Sequence, residues 1–182
     1  MPTLQYYPPT EEAGAIVSQI PGVRFTEVPV LAVDGPDGAL GPEAAGAILH
    51  LHMTMVDEEK TRAFWKQVAL TLQAAASAPG LIRFVAIADG LSQDAVGWWR
   101  SVADAKAFAR SAAHRTAMEE MDRDRFEYTH FAGLWELVEQ RERHSVCDAC
   151  GASTTMPATA CVSCGTEIAD VFRLRNGSRA LA

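Results

Sequence analysis

Residues Ala47–Val56 read Ala-Ile-Leu-His-Leu-His-Met-Thr-Met-Val, a strict alternation that governs how the flanking segments are read. Successive side chains of a strand point to opposite faces. Leu49, Leu51, Met53 and Met55 therefore share one side, and His50, His52 and Thr54 the other. Asp57 then stands where an N-cap belongs, opening a helix through Ala76 whose apolar stripe includes Phe64, Trp65, Val68, Leu72 and Ala75. Pro79-Gly80 ends that helix. Leu81–Ala88 predicts a second strand and Ala95–Arg100 a third, joined by a loop containing Asp89-Gly90. A second helix is expected from Val102 to Asp122, and a fourth strand over Phe126–Leu137.

Strand-helix-strand-strand-helix-strand is the order of the ferredoxin-like split β-α-β motif, an α+β fold. Two helices cover only one face of four strands. A second copy of the chain is expected on the other face, which gives a dimeric α/β barrel. This domain spans 44–143. Ahead of it, 1–43 form an N-terminal extension with a helical candidate at Glu11–Gln19 and a strand at Val23–Val33, closed by the turn signal Asp34-Gly-Pro-Asp-Gly38. Whether that strand joins the sheet or wraps a second subunit stays open at this level. Residues 144–170 form a separate small module, and 171–182 a flexible tail.

The small module carries the clearest chemistry. Cys147-Asp-Ala-Cys150-Gly and Cys161-Val-Ser-Cys164-Gly are two C-x-x-C pairs, each followed by glycine, and they use all four cysteines of the chain. Two residues between sulfurs let both converge on one ion. The glycine permits the tight turn that directs backbone N–H groups at the thiolates. Cys147, Cys150, Cys161 and Cys164 are therefore expected to hold zinc in a zinc ribbon, with iron in a rubredoxin-like site as the less favoured occupant. Four thiolates close a tetrahedral shell and leave no open position for substrate, so the metal's expected role is structural.

Composition excludes several classes. A net charge of −7 offers no basic surface for phosphate, which argues against nucleic-acid binding. No run of about 18 apolar residues exists, so no membrane span is expected. The N-terminal Met-Pro-Thr-Leu-Gln-Tyr-Tyr-Pro lacks the basic and apolar regions of a secretory signal, and C-x-x-C pairs suited to metal rather than disulfides point to the cytoplasm. Phosphate-binding glycine loops, dinucleotide fingerprints and the nucleophile elbow are missing.

Histidines supply the remaining candidates. His50 and His52 share a face of the first strand. His130 in the fourth strand is expected beside them, because strand four pairs with strand one in this fold. Three imidazoles on one face would bind a non-heme metal or act as acid/base groups near neutral pH; the nearest carboxylates are Glu127 and Glu136, of which the even-numbered phase of strand four favours Glu136. The same residues also read as polar lining of an interface or pocket. His114, on the second helix, shares a face with Ala103, Ala107, Ala117 and Met121, small residues that leave room for a flat ligand. Read from the residues alone, a buried histidine bonded to a neighbouring strand is the favoured account.

The stretch Trp98-Trp99-Arg100-Ser101, Ala105, Phe108-Ala109, Ser111, His114 and Ala117-Met118, followed by Phe126, Tyr128 and Trp135, resembles the dimeric α/β-barrel superfamily. Within it, the pattern is similar to spheroidene monooxygenase-like proteins and, more distantly, to antibiotic-biosynthesis and heme-degrading monooxygenases. The resemblance covers about 44–138. In the heme-binding members a histidine of the second helix ligates iron. The resemblance therefore implies heme as a candidate cofactor on His114, with Trp99 as a wall of its pocket. It further implies a homodimer and a monooxygenase-type oxidoreductase, heme-dependent or cofactor-assisted, acting on a small, largely apolar metabolite. His50, His52 and His130 would orient that substrate or move protons. A non-catalytic heme or small-molecule binding protein, and a ribbon that docks a partner protein, are the alternative readings.

Overall fold

A computed structural model of the protein describes residues 7–19 and 30–168. The chain divides into two units, one up to Leu137 and one from Val138.

In the first unit, helix α1 (Glu11–Ser18) precedes strand β1 (Val30–Asp34), and two short 3-10 turns lead into strand β2 (Ala47–Met55). Helix α2 (Glu58–Ala75), strands β3 (Leu81–Asp89) and β4 (Ser92–Trp99), helices α3 (Val102–Ala109) and α4 (Ala112–Asp124), and strand β5 (Glu127–Glu136) follow. The antiparallel sheet runs β1-β3-β4-β2-β5. Removing β1 leaves the ferredoxin-like order, with β2 and β4 central, as the sequence pattern predicted. β1 adds a fifth strand by pairing with β3 from Val30↔Ile87 to Asp34↔Arg83. The expected strand Val23–Val33 thus joins the sheet through its last residues, while 23–29 lie outside the described residues, as does the tail 171–182.

Local chemistry explains the elements. Asp57 accepts a hydrogen bond from the Lys60 amide at 2.8 Å, and Glu58 and Glu59 favour the positive first turn of α2. Its inner face buries Phe64, Trp65, Ala69, Leu72 and Ala75. Gly80 takes φ +80° at the turn into β3, a conformation that side chains disfavour. The second helix is not continuous. It breaks at Arg110–Ser111, and Ser111 caps α4 by accepting from the His114 amide at 3.3 Å. The serine hydroxyl competes for the backbone there and caps the helix that follows.

The helices pack on one sheet face. Trp65, Leu72 and Phe108 meet Ala47, Leu81, Phe84 and Trp99 in one apolar cluster, to which β1 contributes Leu31 and Val33. Trp65, Trp99, Leu31, Leu72, Leu81 and Ile82 are among the largest side chains fully removed from solvent. Each such burial stabilises the fold by about 1.5–3 kcal/mol before entropy is counted.

The second unit is a hairpin of β6 (His144–Val146) and β7 (Ser153–Thr155) with an isolated bridge Ala160↔Glu167. Its core is Cys147, Met156, Cys161 and Ile168. Among the described residues, no helix is long and apolar enough to cross a membrane.

Candidate functional site

Between the sheet and helices α2 and α4 lies a cavity of about 70 Å³. Leu51, Met53, Phe84, Ala86 and Ala95 form its floor, with Phe64, Val68, Ala117 and Met121 among the residues above. The alternation of β2 produces this floor, since the apolar phase faces the helices. Few polar groups break the lining. Gln67 is bonded to Glu120 across α2 and α4. His114 and Gln93 are the others that matter.

His114 is half-buried on α4 and sits edge-on to Phe108, with ring centroids 5.5 Å apart. Burial lowers its pKa below the ordinary 6.5 and outweighs the opposing effect of a hydrogen bond with Ala109. The ring is therefore neutral near pH 7. A neutral imidazole keeps a lone pair on one of its two ring nitrogens. Gln93, on β4, is 6% exposed, and its side-chain nitrogen has no hydrogen-bond partner among the described residues.

The lining does not favour heme: it offers His114 but no lysine or arginine to pair with the propionates of a porphyrin. Trp99, expected to wall a cofactor pocket, is fully buried and packs on Phe108 at 5.2 Å, outside the cavity lining. A core tryptophan at the end of β4 explains its place without a ligand.

The strand histidines do not converge on the cavity, nor all three on each other. His50 and His52 lie on the opposite sheet face, where His50 Nε2 and His52 Nδ1 stand 3.1 and 3.0 Å from the same oxygen, Oδ1 of Asp94. Burial raises the Asp94 pKa, but the hydrogen bonds from His50 and His52 lower it more, and the net shift is downward. His130 is opposite Met53 in the β2–β5 register, on the helix-side phase, and pairs with Glu127 at 2.9 Å. Glu136 shares that phase, opposite Ala47. The carboxylate that accompanies His50 and His52 is therefore neither of the glutamates expected. Asp94 stands one residue ahead of the third strand expected from Ala95, whereas β4 starts at Ser92 and pairs Asp94 with His52. Ile87, Phe131 and Trp135 accompany this cluster, 43–48% exposed, with Phe131 and Trp135 each about 6 Å from the His50 ring.

In the second unit the four cysteines do come together. Their sulfurs lie within 4.8 Å of one another, with Cys147–Cys164 and Cys150–Cys161 at 3.6 Å. A tetrahedral shell with zinc–sulfur bonds of about 2.3 Å places sulfurs about 3.8 Å apart, so the donor set fits a metal such as zinc. The two knuckles are near copies. Gly151 and Gly165 donate to the carbonyls of Cys147 and Cys161, both at positive φ, and Cys147 and Cys161 donate to Ala152 and Thr166. The amides of Ser163 and Cys164 pull the Cys161 thiol down to about 6. At Cys150 the Ala152 amide acts downward, but the other sulfurs outweigh it and push the thiol up to about 12. Four sulfurs this close share protons until a cation replaces them.

No family model matches the chain, and no curated protein matches it in sequence. Solved structures are similar in chain path. A predicted monooxygenase from Lactobacillus acidophilus shares 12% identity at a TM-score of 0.46, covering 59% of this chain and 48% of its own. A predicted antibiotic-biosynthesis monooxygenase from Nitrosomonas europaea shares 15% at 0.45, over 52% of this chain and 92% of its own. An N-to-A mutant of SnoaB, a cofactor-independent oxygenase from Streptomyces nogalater, shares 15% at 0.44, over 53% and 97%. The chain thus matches about half the length of the Lactobacillus protein and nearly all of the other two. The ferredoxin-like assignment stands on this chain's own strand order.

Proposed function

We propose that the chain is a monooxygenase-type oxidoreductase that acts, without heme, on a small and largely apolar metabolite held between the sheet and helices α2 and α4. The observation that supports this reading is a neutral imidazole, His114, on the wall of a largely apolar cavity. A base with a lone pair in a dry site removes a proton from an activated carbon of the substrate more readily than it would in water. Dioxygen is the co-reactant. An activated methylene gives up four electrons, one oxygen atom enters the product as a carbonyl, the other leaves as water, and no external reductant is needed. His114 takes the first proton on its lone-pair nitrogen. His50 and His52, bound to Asp94 on the far side of the sheet, belong to a face that we assign to a second copy of the chain. Exposed Ile87, Phe131 and Trp135 there are the apolar centre such a contact needs.

Oxygen uptake tests the reading. Aromatic compounds with an activated methylene, offered to the full protein, should consume one dioxygen per product formed. His114→Ala should slow uptake by about 10²–10⁴-fold, as for loss of a general base. Binding of such compounds without oxygen uptake would make the protein a carrier instead.

A further inference from the structure

Among the groups that line the cavity, Gln93 has no structural task. The helix-side phase of β4 is Gln93, Ala95, Gly97 and Trp99, apolar except at its first position. In register, Gln93 faces Met53 on one neighbouring strand and Ala88 on the other, neither of which offers a hydrogen bond through its side chain. Of the other polar residues that border the cavity, Gln67 is bonded to Glu120, and the Asp94 carboxylate turns to His50 and His52 on the far face. Buried amides are normally paired, because desolvation without a partner opposes folding. An amide kept at 6% exposure with its nitrogen unsatisfied, on the wall of a cavity, is a donor waiting for an acceptor that the described residues do not supply.

We propose that Gln93 positions the substrate by donating a hydrogen bond to a carbonyl oxygen, so that the cavity takes a small aromatic or alicyclic ketone. This rests on the cavity being the substrate site. It also gives the proton removal a destination for charge. When His114 takes a proton from the carbon next to the carbonyl, the electron pair of that C–H bond moves into the carbonyl. Oxygen becomes an enolate, and the Gln93 N–H strengthens its bond to it as the charge grows. A hydrocarbon of the same shape leaves the amide unpaired and is discriminated against for that reason.

The test uses two probes of one size, acetophenone and ethylbenzene, titrated into the full protein by calorimetry. The quantity read is the ratio of their dissociation constants, which removes the difference in their hydrophobicity. Gln93→Leu should shift that ratio against the ketone by about fivefold, the worth of one neutral hydrogen bond. The same variant should raise Tm, since an unpaired buried amide is replaced by an apolar side chain of similar volume. Gln93→Met, unbranched and closer in shape, guards against a packing artefact and should behave alike. An unchanged ratio in both variants, or a Tm lowered by several degrees in both, would overturn the role assigned to Gln93 while leaving the cavity as a ligand site. If neither probe binds the wild-type protein, the cavity reading fails, and the Gln93 proposal with it.

Discussion

The two units of this chain reach a stable fold by opposite routes. The first buries a continuous apolar cluster from Ala13 through Phe108, spread over strands and helices. Among its described residues the second has four buried apolar side chains, two of them cysteines, too few to offset the entropy of ordering 138–168. Redundancy in one and concentration in the other predict different failures. Loss of one interaction should erode the sheet unit but collapse the ribbon.

Metal removal gives the largest contrast. Structural zinc supplies an apparent ~10–16 kcal/mol in comparable small sites. Chelation, or Cys161→Ser, should abolish amide protection at His144–Val146 and Ser153–Thr155 while β2 and β4 remain protected in hydrogen exchange. Loss of protection in the sheet at the same time would show that the two units are not independent. The complementary change is Trp99→Ala. Trp99 is fully buried against Phe108, and its truncation should cost about 3–5 kcal/mol by denaturant unfolding, with bound metal unchanged. A loss below 1 kcal/mol would mean that the core around β4 collapses to fill the space.

A smaller effect probes the same redundancy at a helix end. Asp57→Ala removes the cap of α2 and should lower stability by about 1 kcal/mol, a change that the sheet unit survives. Acid should act through His114. Its folded pKa lies below the ordinary 6.5, so the unfolded chain takes up the proton first as pH falls through that value. Stability of the sheet unit should therefore decline below about pH 6.5, and His114→Gln should flatten that slope in pH-dependent melting. Oxygen uptake, if His114 is the base, should fall over the range where its folded form protonates, lower than 6.5.

Much of this was legible in the residues, and what was not has identifiable causes. The alternation of Ala47–Val56, the Asp57 cap and the Pro79-Gly80 stop fixed β2 and α2 because each signal is local. The four cysteines were legible for the same reason. Register is not local. β2 and β5 pair so that residue numbers sum to 183, as in His50↔Gly133, which sets even-numbered β5 residues on the phase of odd-numbered β2 residues. His130 therefore lands opposite Met53, away from His50, and the irregularity that separates Thr54 from Met55 leaves no mark in the sequence. The break at Ser111 carried a weak signal, a serine inside a helical pattern, that periodicity alone overrides. Gln93 and Asp94 were hidden together by a strand begun too late.

Asp94 is where the smallest effect is expected, and where the two sheet faces are told apart. Its carboxylate accepts from both His50 and His52, yet its side chain is 43% exposed, and ion pairs so open to water contribute little. The Asp94 pKa is lowered in the folded state, so what it adds to stability is present above the ordinary value of 3.8 and is lost as pH falls through the folded value. Asp94→Asn should then change stability at pH 7 by less than about 1 kcal/mol. It should leave ketone binding in the cavity untouched, because its carboxyl lies on the other face. Its consequence should appear instead in association. With the carboxylate gone, His50 and His52 lose their shared acceptor beside Phe131 and Trp135, and a dimer built on that face should weaken in sedimentation at micromolar concentration. If Asp94→Asn altered ligand affinity and not association, the division of labour between the faces would be wrong, and the histidine cluster would belong to the reaction after all.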